Sequence, residues 1–427
     1  MNKKEYQTID EVIYSEVLDN GLQVFLLPRA NVRNMYATFV TDFGGNDLSF
    51  IPRGGTEKVT VPDGVAHFLE HKLFEKEDHD AFQEFMNQGA SANAYTSATQ
   101  TAYLFSTTDN KEQNVKTLLD FVQAPYFSDE TVEKEKGIIV QEAQMYHDQP
   151  DHRVSVGIQE AMYHHHGVRN EVLGTIDSIQ SITKEDLYTC YETFYHPSNM
   201  VLFIAGGFDP ERMMEVIKEN QNGKDFAPPE EIIRFTEPEP TAVYEAEKTI
   251  SMPVNVQKSA IGIKEDMQQI ASIPQVKRVL LNGMLLDYFF GKSGPFYNDM
   301  YAAGLIDYSF NFMSNAERDH GYSLIASNAE NPDAFAAHIK ELLLSIKDQK
   351  LTEEAFTRMK KRKIGTLIRG MNELEVIADN YVWYHNRGMD YLQLIPIIQE
   401  LTLEETNAYI EQWITEERIA VCKVIAE

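Results

Sequence analysis

The chain has 427 residues with 66 acidic and 38 basic side chains, and its formal net charge at pH 7 is −28. Such a charge disfavours binding to nucleic acid and to anionic membranes, because their phosphates would repel the protein surface. The hydrophobic content of 43% is that of a globular protein, and no stretch reaches the roughly 18 apolar residues of a membrane-spanning helix.

Length, cysteine content and the first residues indicate the organisation and the compartment. A chain of this length exceeds one ordinary core, so we expect at least two domains. The lysines at the start of the sequence are not followed by an apolar run, and Cys190 and Cys422 are too few for a disulfide framework. A reducing, cytoplasmic setting is therefore predicted. The acidic excess fits either plain solubility or an acidic cavity that attracts cationic peptides.

Residues 65–74, VAHFLEHKLF, place two histidines and a glutamate in an otherwise apolar run. In a helix, His67 and His71 lie one turn apart on one face, and Glu70 falls on that face as well. Two imidazoles at this spacing can share one zinc ion, and a nearby carboxylate can act on zinc-bound water. The alternative is an amphipathic helix whose histidines are satisfied by hydrogen bonds.

A zinc site with two histidines needs a third protein ligand, and residues 131–142 supply candidates. Glu142 follows an apolar turn and can lie at the buried edge of a helix. Glu135 lies two helical turns earlier on the same face. Glu133 is expected to face solvent.

Three adjacent histidines at 164–166 also raise the question of metal binding. Neighbouring residues of a regular helix or strand cannot all face one ion. We therefore expect an exposed helix end before Gly167.

The chain consists of two copies of one unit. Residues 226–244 include an acidic, proline-rich stretch that breaks helix and strand alike, which predicts a linker between domains at 1–225 and 245–427. Several segments recur at a distance of about 215–225 residues, among them 82–86 with 296–300 and 126–130 with 350–354. Strands and helices interleave without a strand-helix-strand rhythm, so the fold class is predicted as α+β.

The repeat provides an internal control for the chemistry. The alignment sets His67 against Leu281 and His71 against Leu285. Histidines with a purely structural role could have been kept in the second copy. One copy is therefore predicted to carry the metal chemistry, and the other only the fold.

The motif His67-x-x-Glu70-His71, followed about seventy residues later by Glu135 and Glu142, resembles the insulinase (pitrilysin) family of zinc metallopeptidases, the inverzincins. The likeness covers nearly the whole chain and is greatest to the short-chain bacterial YmfH-like branch, with a relation to the mitochondrial processing peptidase beta subunit. It implies two homologous domains of LuxS/metallohydrolase-like type, each a mixed, mainly antiparallel sheet with packed helices, arranged as a clam shell.

The resemblance also assigns residues. It implies that His67, His71 and Glu142 bind zinc and that Glu70 is the general base. It also implies that Glu135 is a catalytic acidic residue that does not bind the zinc itself but lies behind its ligands. In the second copy Glu142 aligns with Thr366 and Glu135 with Met359, which predicts an empty site.

The alternating strand at 92–103 has two interpretations. It is either an exposed edge that binds extended substrates by strand addition or an internal strand that is paired on both sides. The resemblance favours the edge, with Asn93 and Ala94 as substrate contacts.

The function implied is a zinc-dependent metalloendopeptidase or oligopeptidase that cleaves unfolded peptides in an enclosed chamber, with zinc-bound water activated by Glu70. One alternative is a zinc-containing partner or structural subunit of a two-chain peptidase with little activity alone. Another is a zinc hydrolase with a non-peptide substrate.

Residues 298–309 depart from the family pattern. Active members present an arginine and a tyrosine from the second domain beside a Gly-Leu turn; here Gly304 and Leu305 are present, Tyr308 stands near the tyrosine position, and no arginine occupies the expected stretch. The departure predicts a homologous, zinc-less paralogue as partner, or a homodimer. The rival expectation is that Arg318 or Lys292 substitutes for the missing arginine.

Overall fold

The computed structural model describes residues 1–268 and 273–427. The chain forms two compact units, and each contains one large β-sheet with helices packed on it. None of the helices in these two ranges combines the length and the apolar composition that crossing a membrane requires.

The elements of the first half precede the linker. The strands are β1 (Asn2–Tyr6), β2 (Glu11–Val17), β3 (Gln23–Pro28), β4 (Met35–Thr41), β5 (Ser49–Phe50), β6 (Val59–Thr60), β7 (Ala90–Thr96), β8 (Thr101–Thr107) and β9 (Met200–Gly206). The helices are α1 (Val65–Phe74), α2 (Ala81–Asn87), α3 (Lys111–Val122), α4 (Asp129–His147), α5 (Pro150–Met162), α6 (Ile176–Ser181), α7 (Lys184–Phe194) and α8 (Pro210–Asn222).

The elements of the second half follow the linker. The strands are β10 (Glu247–Ser251), β11 (Lys258–Lys264), β12 (Asn311–Ala316), β13 (Gly321–Asn328) and β14 (Ile419–Ile425). The helices are α9 (Gln275–Phe290), α10 (Tyr297–Ala302), α11 (Pro332–Ser345), α12 (Glu353–Met371), α13 (Leu374–Asn386), α14 (Leu394–Glu400) and α15 (Leu403–Trp413). Single 3-10 turns lie at Gly167–Arg169, Pro197–Asn199, Ile346–Asp348, Tyr391–Gln393 and Glu416–Arg418.

Both large sheets are mixed and mainly antiparallel, as predicted. The first has the strand order β1-β2-β3-β9-β4-β8-β7, and the second has the order β10-β14-β11-β13-β12. β3 and β9 run parallel in the first sheet, and β10 and β14 run parallel in the second. The remaining neighbouring pairs run antiparallel.

The second sheet repeats the inner frame of the first. The series β3-β9-β4-β8-β7 corresponds strand by strand to β10-β14-β11-β13-β12, with the parallel pair at the same place. The helices α1–α5 precede β9 as α9–α13 precede β14. The two homologous domains predicted from sequence repeats are thus present as one topology built twice.

The compact units differ from continuous halves of the chain because equivalent helices are exchanged. Residues 144–169, which contain α5, belong to the second unit, and residues 368–392, which contain α13, belong to the first. α5 packs on β11 and β14, while α13 packs on β4 and β9. The linker boundaries 226–244 stay a prediction about the sequence repeat.

Helix α1 lies inside the core of the first unit. Its apolar residues Val65, Phe68, Leu69 and Leu73 are each no more than 1% exposed and belong to the main hydrophobic cluster. The helix begins directly after Gly64, whose φ of 90° is strained for other residues. A Cβ at Gly64 would lie 2.3 Å from the carbonyl oxygen of Leu173, so the start of α1 is fixed by close backbone packing.

Candidate metal centre

Helix α1 presents its polar residues at one place on an otherwise buried surface. His67 and His71 are one turn apart, and their ring centroids are 4.6 Å apart. His67 is 7% exposed, and Glu70 and His71 are half-buried. The helix and the common face predicted for these residues are therefore present.

Helix α4 brings the two predicted carboxylates to this surface. Oε2 of Glu142 lies 3.5 Å from Nε2 of His71 and 3.9 Å from Nε2 of His67. Oε1 of Glu135 lies 3.0 Å from Nδ1 of His71. Glu133 is on the exposed side of α4, as expected.

The three potential ligand atoms fit one small cation. A tetrahedral zinc ion with ligands at about 2.0–2.1 Å holds neighbouring ligand atoms roughly 3.3–3.5 Å apart. The distance from Glu142 to His71 is in this range, and the distance to His67 needs only a small rotation. His67, His71 and Glu142 thus form a group that could hold a metal ion. Two imidazoles with one carboxylate are the ligand set of zinc peptidases.

The hydrogen bond to Glu135 prepares His71 for this role. A carboxylate can only accept, so the ring of His71 donates its Nδ1 proton to Glu135. In the neutral ring this leaves the lone pair of Nε2 directed towards Glu142. An acceptor behind a ligating histidine fixes its tautomer and orientation.

Burial and charge act differently on the titrating groups. Burial, together with the neighbouring His71, lowers the pKa of His67 to about 3, so His67 is neutral at physiological pH. Burial lowers the pKa of His71, but Glu135, Glu70 and Glu142 together outweigh it and raise that pKa. Burial raises the pKa of Glu70, against a hydrogen bond from Thr96. Three carboxylates around two imidazoles leave an excess of negative charge that a divalent cation would offset.

Among the described residues, the equivalent place in the second unit holds no such group. Leu281 and Leu285 are buried and apolar, Met359 is buried, and Thr366 is exposed. The duplicated frame therefore brings histidine and carboxylate side chains together at this place in its first copy, whereas the aligned residues of the second copy offer no imidazole or carboxylate. That the first copy binds the metal stays a prediction.

The strand β7 is an edge strand. Among the strands that the structure describes, it pairs with β8 alone. Asn93 is exposed, and its Oδ1 accepts a hydrogen bond of 2.9 Å from the backbone N–H of Ala94. That N–H is thus available to a substrate strand only after the Asn93 side chain turns away.

A cavity of about 440 Å³ joins the edge strand to the centre. Asn93 and Ala94 line it together with Glu70 and His71. Its walls also include residues that sequence reasoning did not identify: Phe74, Glu75, Asp80, Phe82 and Lys134. The rings of Phe74 and Phe82 stack with centroids 3.9 Å apart. The sequence likewise did not indicate that Thr96 donates a hydrogen bond to Glu70, because no local sequence pattern connects the two residues.

The histidines at 164–166 differ from expectation. Helix α5 ends at Met162, and His166 is 4% exposed rather than at an exposed helix end. Glu239 accepts hydrogen bonds from the backbone N–H groups of His164, His165 and His166 and so fixes this turn. The prediction of an exposed end is therefore wrong for His166.

His166 lies beside Asp319 and His320 in a second histidine-carboxylate group. Nε2 of His166 is 3.3 Å from Oδ2 of Asp319, and Nδ1 of His320 is 2.9 Å from Oδ1. Nδ1 of His166 accepts a hydrogen bond from the N–H of Val168, so the neutral ring carries its proton on Nε2. Because the Nε2 atom that faces Asp319 carries the proton and offers no lone pair, His166 presents an N–H to this carboxylate and is not placed as a metal ligand.

Tyr308, Arg318 and Lys292, the second-domain residues predicted to contact the substrate, lie in the second unit. Tyr308 precedes β12 and its side chain is 94% exposed. Arg318, in the turn between β12 and β13, and Lys292, after α9, are also exposed.

The sequence matches two family models. The model described as "Insulinase (Peptidase family M16)" matches residues 51–176, and the one described as "Peptidase M16 inactive domain" matches residues 181–363. The first match contains His67, His71 and Glu142, and the second covers much of the copy without ligands.

Individual relatives are similar over the whole chain. YmfH of Bacillus subtilis, named an uncharacterized zinc protease, is 45% identical over 99% of this chain and 98% of its own length. The crystal structure of an M16-like peptidase from Alicyclobacillus acidocaldarius is 37% identical, with a TM-score of 0.92 over 98% of this chain and 99% of that one. A mitochondrial-processing peptidase subunit beta from Arabidopsis thaliana is 32% identical over 40% of this chain and 33% of its own.

Metal analysis of the purified protein distinguishes the two histidine groups. We expect one zinc per wild-type chain and none in His67→Ala, because two remaining ligands hold zinc far less tightly than three. His166→Gln should retain one zinc, since its ring offers no lone pair to a metal. Two zinc ions per wild-type chain, or loss of zinc from His166→Gln, would contradict this assignment.

Proposed function

The chain belongs to the insulinase family of M16 peptidases, and from that premise we propose that it is a zinc-dependent endopeptidase or oligopeptidase. The single observation that carries the proposal is the convergence of His67, His71 and Glu142 with Glu70 beside them. His67, His71 and Glu142 would hold the metal, and Glu135 would orient His71.

Glu70 is placed to move the proton. Zinc, when bound, would polarise a water molecule and lower its pKa towards about 7. The Glu70 carboxylate takes the proton as the water oxygen attacks the peptide carbonyl, and it returns that proton to the leaving amine. Burial raises the pKa of Glu70, which brings it closer to the pH at which it must both accept and donate.

Replacing Glu70 by Gln separates proton transfer from metal binding. We expect Glu70→Gln to keep zinc and to lower peptide turnover at least roughly 100-fold, the lower end of the range for general acid-base catalysis. His67→Ala should lose both zinc and turnover. Glu57→Gln changes an exposed residue of the same unit and should have the zinc content and turnover of the wild type. An active Glu70→Gln protein would remove Glu70 from the mechanism.

The edge strand and the cavity support an extended peptide as substrate. A peptide that adds to β7 forms main-chain hydrogen bonds, which give affinity with little dependence on sequence. Four carboxylates line the cavity, those of Glu70, Glu75, Asp80 and Glu135, against one lysine, Lys134. We propose that this imbalance favours basic side chains. The enclosed chamber implied by the family resemblance would admit flexible peptides and exclude folded proteins.

Matched peptides test the preference for basic side chains. In pairs that differ by one Lys-to-Glu exchange, we expect wild type to prefer the lysine peptide in kcat/KM. Asp80→Asn should reduce the preference about fivefold, because one partly exposed charge pair contributes about 1 kcal/mol. Asn still accepts the helix-capping hydrogen bond that Asp80 accepts from Phe82. Glu57→Gln controls for net charge. An unchanged preference in Asp80→Asn would contradict the role of this cavity.

Residues 298–309 support a partner chain. Without an arginine there, the developing negative charge on the carbonyl oxygen lacks a cationic donor from this segment. Among its neutral donors, Tyr308 stands near the tyrosine position of the family. We propose that a homologous chain without the zinc motif supplies the missing donor. A homodimer is the second possibility, in which Arg318 or Lys292 could take that role.

Titration with the paralogue tests the partner. Loss of one donor to a developing oxyanion costs roughly 10²–10³ in rate. We therefore expect the isolated chain to be weakly active and kcat to rise by a similar factor when the zinc-less homologue is added. Arg318→Gln and Lys292→Gln should leave the activity of the mixture unchanged. Full activity of the isolated chain, without response to the homologue, would refute the partner.

A further inference from the structure

The last residue of the edge strand contacts the general base. The hydroxyl of Thr96 donates a hydrogen bond of 2.7 Å to Oε2 of Glu70. Among the described side chains, Thr96 is the only one that donates to Glu70. The contact joins β7, which ends at Thr96, to α1.

The position of Thr96 is fixed by the hairpin. Thr96 pairs with Thr101 at the end of the β7–β8 ladder. The following turn is closed by a hydrogen bond of 2.8 Å from the N–H of Ser97 to the carbonyl of Gln100. The carbonyl of Ser97 in turn accepts from the N–H of Gly45 at 3.0 Å. Because the backbone on both sides is held, the Thr96 hydroxyl has a defined place.

The direction of the Thr96 hydrogen follows from its neighbour. The hydroxyl of Thr101 donates to the carbonyl oxygen of Phe43 at 3.0 Å and lies 3.5 Å from the Thr96 oxygen. A carboxylate only accepts, so the Thr96 hydrogen is directed to Glu70. One oxygen of Glu70 is therefore occupied, and the other is left for a second partner.

We propose that Thr96 is a positioning residue for the reaction: by holding Oε2 of Glu70, it directs Oε1 to the attacking water. Oε1 then takes one proton from the water and gives it to the leaving amine, so the carboxylate is regenerated. Since Asn93 and Ala94 lie on the same strand, the base is positioned by the element that would bind the substrate. This inference rests on the proposed peptidase function.

Two substitutions at Thr96 test the role. Thr96→Val keeps the shape and removes the donor, whereas Thr96→Ser keeps the donor. A hydrogen bond to a charged group corresponds to roughly 10- to 100-fold in rate. We expect Thr96→Val to lower kcat by that factor, with KM within about twofold and zinc content at the wild-type value. Thr96→Ser should restore most of kcat. Wild-type kcat in Thr96→Val, or a change confined to KM or zinc content, would overturn the proposal.

A thermodynamic cycle measures the contact without catalysis. In the zinc-free protein, Thr96→Val should lower the unfolding midpoint by roughly 2–4 °C more in the wild-type background than in Glu70→Ala. Equal shifts in both backgrounds would overturn the coupling between the residues. A wild-type protein without chelator-sensitive peptidase activity would refute the proposed function and with it the catalytic role of Thr96. The cycle would then still decide whether the contact exists.

Discussion

The concentration of negative charge around two histidines is the constraint on which the site depends. Glu70, Glu135 and Glu142 meet His67 and His71 at a largely buried surface of α1, where unpaired charge is costly. The helix cannot relieve this electrostatic cost by moving towards solvent, because α1 is packed into the core of its unit. A divalent cation held by His67, His71 and Glu142 would offset the charge. Metal binding would therefore stabilise this region.

Duplication separates the requirements of the fold from those of the chemistry. Both sheets keep the same inner five-strand order, so this order does not depend on the residues proposed to bind the metal. At the positions of His67 and His71 the second copy has Leu281 and Leu285, which are packed in its core. The second copy thus shows that apolar side chains at these two positions are sufficient for packing the helix.

Local pattern was sufficient for some features and not for others. The spacing of His67, Glu70 and His71 predicted one helical face, and the internal repeat predicted two copies of one topology. The exchange of α5 and α13 was not predictable, because periodicity shows which face of a helix is buried and not which sheet covers it. His166 and Thr96 were missed for a related reason. Their partners, Asp319 and Glu70, are distant in sequence, and only the fold brings them together.

X-ray absorption at the zinc edge of the wild-type protein tests the central claim most directly, because it reports the ligands themselves. A zinc ion held by His67, His71 and Glu142 should show imidazole nitrogen and carboxylate oxygen neighbours at about 2.0–2.2 Å, with no sulfur contribution. A spectrum with sulfur ligands, or with oxygen neighbours only, would contradict the proposed centre.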